Sequence, residues 1–199
     1  MDAYSYMCRG KVFANAQTGN ILLFGIYMSE RQWDMAIRYL IPVIAFVTGI
    51  GVADLVRMKI KEKSIFHWRQ LSVLSEAVVL FVVCFIPQKF NLPANSLTSL
   101  ACGIQVESFR KIHGNGIATT MCIGKPAQRD TADVVSIWAR KEKSISKKGF
   151  YITELFFCFV MGAVLGNICV KYLSEKALIV CVVMLGMAFV MMFIDGEKQ

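Results

Sequence analysis

Six apolar runs divide the chain, at positions 12–28, 39–56, 70–87, 97–124, 150–170 and 177–194, with polar or charged stretches between them. Most are long enough to cross a hydrocarbon core ~30 Å thick, which takes roughly 20 helical residues. None shows the ten-residue alternation of a membrane barrel strand, and a segment in lipid must satisfy its own backbone hydrogen bonds. The pattern therefore predicts an all-α, polytopic helical membrane protein with six transmembrane segments. A soluble bundle is disfavoured because soluble helices need a polar face, and these runs mostly lack one. Two runs carry polar interruptions: ANAQTGN at 14–20 in the first, and HGNGIATT at 113–120 in the fourth. Both read as breaks in membrane helices.

The order of the runs repeats. A shift of 101 positions places Arg9 on Arg110, Ala14 on Asn115 and Thr18 on Thr119. A shift of 113 places AFVTGIGVAD on CFVMGAVLGN, so that Gly49 meets Gly162 and Asp54 meets Asn167. Each half holds an interrupted segment, a glycine-rich segment and a plain apolar one. Three crossings per half send the second half in from the opposite side, which makes the pair an inverted repeat. The whole chain, 1–199, is then one integral membrane domain, with the first repeat at about 1–90 and the second at about 97–195. In such plans the interrupted helices of the two halves meet near the midplane. Gly49, Gly51, Gly162 and Gly166 read instead as close helix packing, the common use of small residues in membranes.

Composition agrees and adds an orientation. The chain is 56% hydrophobic with mean hydropathy +0.52, against about 45–50% apolar residues in soluble domains. Its net charge of +8 concentrates in two connections. One holds Arg57, Lys59, Lys61, Lys63 and Arg69; the other holds Arg129, Arg140, Lys141, Lys143, Lys147 and Lys148. Basic loops stay in the cytoplasm, and alternate crossing then puts both termini there as well. Nothing interleaves aromatic and basic residues as a nucleic-acid surface would. The seven cysteines lie in or beside apolar runs without metal-ligand or disulfide spacing, and read as small buried hydrophobes. No cleavable signal peptide is visible at the start.

Ionisable groups in apolar spans suggest function, and depth ranks them. Thr18 falls near mid-membrane, while Arg9 falls near the cytoplasmic surface and can snorkel out. Asp54 is expected to pair with Arg57. Glu76 and Glu154 lie only five to seven residues inside their segments, where they are either interfacial or functional. Glu107, Arg110 and Lys111 can share one helical turn, with Gly114, Asn115 and Gly116 supplying the break beyond. The candidate solute-binding set is Asn15, Gln17, Thr18, Asn20, Gln105, Arg110, Asn115, Thr119 and Thr120. Asp2, Arg9, Asp54, Glu76, Glu107 and Glu154 are candidates for charge pairing or relay. No hydrolase, zinc-protease or phosphate-loop motif is present, so neither catalytic residues, a metal nor a cofactor is indicated. RDTADVVSIWARK, at 129–141, reads as an amphipathic helix on the inner leaflet or a simple connector.

The opening DAYSYMCRGKVFANAQTGNILLFG and the later ACGIQVESFRKIHGNGIATTMCIG resemble the two motifs of the YoaK-like family of bacterial membrane proteins, domain of unknown function 1275. The resemblance covers nearly the whole chain. It implies a multi-pass protein of the bacterial inner membrane and supplies no activity. The motif positions it carries over are Asp2, Ala3, Phe13, Asn15, Thr18, Gly19, Asn20, Gly103, Gln105, Arg110, Thr119 and Thr120. Members usually have an apolar, glycine-containing lead before the Asp-Ala pair, whereas here only Met1 precedes Asp2; the first helix is thus expected to lack its cytoplasmic half. The function expected is a small transporter or channel for a small polar or ionic solute, with its site between the two broken helices. A non-transporting scaffold or assembly partner is the alternative, and a membrane enzyme a third. The lipid bilayer is the expected partner, and a homo-oligomer remains open.

Overall fold

The computed structural model describes residues 1–60, 68–109, 111–112, 115–118, 123–124 and 157–196. Its helices are α1 (Asp2–Cys8), α2 (Gln17–Ser29), α3 (Trp33–Ile60), α4 (Trp68–Val83), α5 (Asn91–Ser108), α6 (Phe157–Leu173) and α7 (Leu178–Gly196). The protein is predominantly helical. Short strands β1 (Lys111–Ile112), β2 (Asn115–Ala118) and β3 (Ile123–Gly124) follow α5 and pair antiparallel in chain order.

Two boundaries differ from the hydropathy reading. The fourth run is not a 28-residue helix broken at 113–120: α5 begins earlier, at Asn91, and ends at Ser108, and strands occupy part of the expected break. The helix start was hidden because Asn91, Asn95 and Ser96 lower local hydropathy, although Pro93 in a first helical turn is well tolerated. In the first run the break lies at 9–16, and Gln17 to Asn20 already form the first turn of α2. Six crossings are not established by these helices. Among the described residues, α3 alone has the length and composition of a full span, while Gln70–Val83, Phe157–Leu173 and Leu178–Met192 are apolar but shorter.

α3 and α5 run side by side in one direction, with Gly49 against Leu100 and Ile104 and Gly103 against Phe46 and Ile50. The approach is reciprocal. A Cβ on Gly49 would overlap the Leu100 carbonyl oxygen, and one on Gly103 the Phe46 carbonyl oxygen. Without side chains at these two positions the backbones reach contact, which is how small residues drive helix association where lipid removes the hydrophobic incentive. Gly51 and Gly162 face open space, so the packing role expected of all four glycines holds for Gly49 and for Gly166, where an added Cβ would lie 3.1 Å from the Ala3 methyl. α4 and α7 pack antiparallel: Gln70 Nε2 donates to the Met192 carbonyl at 3.2 Å, and Leu80, Val83, Leu178 and Leu185 share one apolar cluster with Tyr4 of α1.

The molecule is inverted relative to a soluble bundle. Leu22, Ile44, Val47, Phe81, Phe85, Leu165, Met184 and Met187 face outward, whereas Arg9, Gln17, Asn20, Glu76, Asn95 and Ser99 are buried. In water such a surface would be an aggregation liability; against lipid tails it is the solvated one. Cys84 and Cys102 are buried as expected, but Cys158 is exposed on the apolar exterior.

Substitution at the α3–α5 crossing tests the reciprocal contact. Gly103→Val and Gly49→Val should each destabilise the protein by about 1–3 kcal/mol through overpacking, read as a lower thermal unfolding midpoint in detergent. Gly51→Val should leave the midpoint unchanged.

Candidate functional site

α1 ends because Gly10, at φ +84°, takes a conformation that L side chains resist. The Lys11 N–H then reaches back to the Tyr6 carbonyl at 3.0 Å and the Arg9 N–H to that of Ser5 at 3.1 Å, a glycine-capped helix end. The Arg38 side chain closes over the space a Cβ on Gly10 would need. From there residues 11–16 turn back along α1, with Phe13 stacked on Tyr6 at 4.9 Å between ring centroids, and α2 then starts.

A non-helical stretch inside an apolar shell must have its backbone polar groups satisfied by other means. Side chains do this for the Arg9 carbonyl and for much of the backbone of residues 13–16. Asn95 Nδ2 donates to the Arg9 carbonyl at 2.8 Å. The Asn20 amide brackets Phe13, accepting from its N–H at 3.0 Å and donating to its carbonyl at 2.7 Å. Ser5 Oγ accepts from the Ala14 N–H at 3.1 Å, and Gln17 Nε2 donates to the Ala14 carbonyl at 2.7 Å. Asp2 Oδ1 accepts from the N–H groups of Asn15 at 2.7 Å and Ala16 at 3.4 Å, which also sets a negative charge at the start of α2, where the helix dipole favours it. Gln17 and Asn20 are tied to each other at 2.9 Å, and Gln17 to Ser99 of α5 at 3.3 Å. The polar cluster at 14–20 thus serves first to hold an unwound backbone in place.

Arg9 overturns its expected surface position. Its side chain is 0% exposed, because α1 directs it inward rather than along a helix toward the interface. Nη2 donates to the carbonyls of Ile86 at 2.6 Å and Val83 at 3.3 Å, and Nε donates to the Tyr4 hydroxyl at 2.8 Å. Those carbonyls lie at the C-terminal end of α4, the negative end of its dipole. Arg9 therefore closes α4 from α1 while the Tyr4 ring lies 5.5 Å from its guanidinium carbon.

The remaining candidates divide. Thr18 is exposed on α2 and does not enter the polar interior. Asp54 is exposed, and its expected partner Arg57 meets Glu107 of α5 instead, at 3.7 Å. Sequence spacing favoured the local pair; the parallel α3–α5 packing brings the distant one together. Gln105 is half-buried and its carbonyl caps the end of α5 through the Phe109 N–H at 3.0 Å. Glu76 is 0% exposed, buried within the helix packing. Asn115 lies in β2. Arg110, Thr119, Thr120 and Glu154, with the 129–141 stretch, lie outside the described residues.

Among the described residues, buried atoms without a hydrogen-bond partner include Arg9 Nη1, Asn15 Oδ1, Asn95 Oδ1 and both carboxyl oxygens of Glu76, with Asn91 Oδ1 and Asn167 Oδ1 elsewhere. Three of them surround the unwound segment. Tyr4, Ser5, Asn95 and Ser99 were not among the sequence candidates. The signal for the last two was present: Asn95, Ser99 and Cys102 recur at helical spacing, a polar stripe on α5.

A helical protein with a polar interior, an apolar exterior and a broken first helix belongs to the class of integral membrane proteins, with the lipid bilayer as its surroundings. Sequence comparison agrees, and the chain belongs to the family described as "Protein of unknown function (DUF1275)", whose model matches residues 1–191. It is similar to the UPF0700 transmembrane protein YoaK of Bacillus subtilis (strain 168), with 29% identity over 129 residues. That alignment covers 62% of this chain and 57% of the relative. No solved structure matches.

Replacing Asn20 tests the bracketing role. Asn20→Ala leaves both backbone groups of Phe13 unpaired, at about 1–3 kcal/mol for each buried group. The expected result is a lower unfolding midpoint and faster deuterium exchange at residues 13–17; Thr18→Val should change neither.

Proposed function

We propose that this protein is a small transporter or channel for a small polar or ionic solute in the bacterial plasma membrane. The solute site lies where α1, the unwound 9–16 segment and α5 meet. The observation that carries this reading is the set of unpartnered buried atoms at that junction, Arg9 Nη1, Asn15 Oδ1 and Asn95 Oδ1. An unsatisfied buried group costs about 1–3 kcal/mol, and more when charged, so a resident polar species would relieve several such costs together. Arg9 donates and the two amide oxygens accept, a mixture suited to a solute that offers both kinds of partner. No reaction is assigned to the protein.

The same reading includes six crossings in two inverted halves, with both termini cytoplasmic. Helix contacts support it. If α1–α2, α3 and α4 correspond to α5, α6 and α7, an inverted two-fold pairs the α3–α5 contact with an α6–α1 contact. Gly103 packs on α3, and Ala3 packs on Gly166 of α6. It likewise pairs α4–α5 with α7–α1, where Tyr4 joins Leu178 and Leu185. The α4–α7 contact maps onto itself. In this arrangement the broken first helix has α5 and the strands beyond it as its counterpart, and irregular backbone at depth is tolerated where it lines a cavity or is buried in protein.

The second reading, a scaffold, draws on the completeness of the Gln17 and Asn20 bonding and on the close α3–α5 crossing. Reconstitution separates the two. Liposomes holding the full chain are assayed for uptake of inorganic anions, alkali cations and small neutral metabolites. The transporter reading predicts flux of one class, abolished by Asn95→Leu and retained in Thr18→Val. Folded protein that moves none of them would establish the scaffold.

A further inference from the structure

Glu76 lies at the centre of the apolar helix Gln70–Val83, seven residues before Val83 and two turns from Arg9's bonds to the α4 end. It is fully buried, and neither carboxyl oxygen has a hydrogen-bond partner. Nothing in the bonding of the 9–16 segment uses it. Among the described residues, the charged and titratable groups near it are the Met1 amine and Cys102 of α5, and Cys102 in turn has Asp2 of α1 and Cys181 of α7 near it. Cys102 Sγ lies 3.6 Å from Met1 Sδ. Asp2, near Cys102, is engaged by the N–H groups of Asn15 and Ala16. By way of Cys102, which lies near both acids, it joins Glu76 to the start of α2.

An intramembrane carboxyl without a partner is expensive to maintain and marks an ion or proton pathway more often than a packing site. A resident metal ion does not suit the surroundings, since no group of three His, Cys, Asp or Glu side chains converges among the described residues. A sodium ion would draw on backbone carbonyls, as at unwound membrane helices. Here Glu76 sits within continuous α4 and faces continuous α5, where those carbonyls are taken up by helical bonds. A proton needs no coordination shell. We propose that Glu76 exchanges a proton at mid-span, and that Asp2 couples this exchange to solute occupancy beside the unwound segment. The step balances simply: the carboxylate takes one proton from water reaching it on one side and returns it to water on the other. The coupling rests on the transporter reading above; proton exchange at Glu76 does not.

The test combines two readouts on the full chain in liposomes. Infrared difference spectra between mildly acidic and mildly alkaline buffer should show a carboxylic-acid carbonyl band that Glu76→Gln removes, Glu76→Asp shifts and Asp54→Asn leaves in place. A trapped pH dye should report proton movement when the panel of anions, cations and neutral metabolites is added outside, and Glu76→Gln should reduce it to the level of protein-free liposomes. Should Glu76→Gln fail to fold, the band shift in Glu76→Asp decides the same question. A spectrum identical in wild type and both Glu76 variants overturns the proton site, whether or not solute moves. Flux that depends on sodium and ignores an imposed pH gradient overturns the coupling and leaves transport intact. A Glu76 band without flux of any solute upholds proton exchange and overturns the transporter.

Discussion

A guanidinium buried within the protein must find most of its hydrogen bonds there, and Arg9 finds them at Tyr4 and at the end of α4. Burying a charge is costly unless it is well bonded, so the contacts to Val83, Ile86 and Tyr4 constrain everything around them. α1 must stop at Arg9 for the side chain to turn inward. Gly10 must reverse the chain immediately afterwards. The Tyr4 ring must lie under the guanidinium, which places it in the apolar cluster with Leu178 and Leu185. Through one side chain the first helix is thereby registered against α4 and α7.

The cost of that arrangement is an unwound segment in an apolar shell, and the polar residues around it answer that cost. Asp2, Ser5, Gln17, Asn20 and Asn95 supply the hydrogen bonds that a continuous helix would have made internally. Structure and function meet in what remains after this bonding. Arg9 Nη1 and the oxygens of Asn15 and Asn95 are left over beside the break, and the Glu76 carboxyl is left over deeper along α4. Groups that complete the backbone's bonding explain the fold. Groups that exceed it are the ones with capacity for a solute or a proton.

Much of this was legible in the chain. Apolar runs located α3, α4 and α7, and the ANAQTGN interruption announced a broken first helix. Gly49 announced a close crossing. The break was nonetheless placed several residues late, because Gly10 was not read as a helix stop and because Gln17 and Asn20 belong to α2 while bonding backward. α5 was misplaced for a related reason: Asn95, Thr98 and Ser99 lower hydropathy, yet they face inward and cost nothing against lipid. The burial of Arg9 and the Arg57–Glu107 contact could not be read from spacing, since both depend on elements distant in the chain. Arg110, Thr119 and Thr120, central to the second motif, lie outside the described residues, and their part in the site rests on the repeat.

The central claim is that Arg9 is locked inside the protein at the end of α4. It is tested most directly by proton exchange at arginine guanidinium groups, measured by NMR on protein labelled with nitrogen-15 arginine in lipid nanodiscs and assigned by Arg9→Lys. The account predicts that Arg9 Nε–H exchanges far more slowly than that of Arg31, which is exposed at the α2–α3 turn. Equal exchange at the two arginines would contradict it.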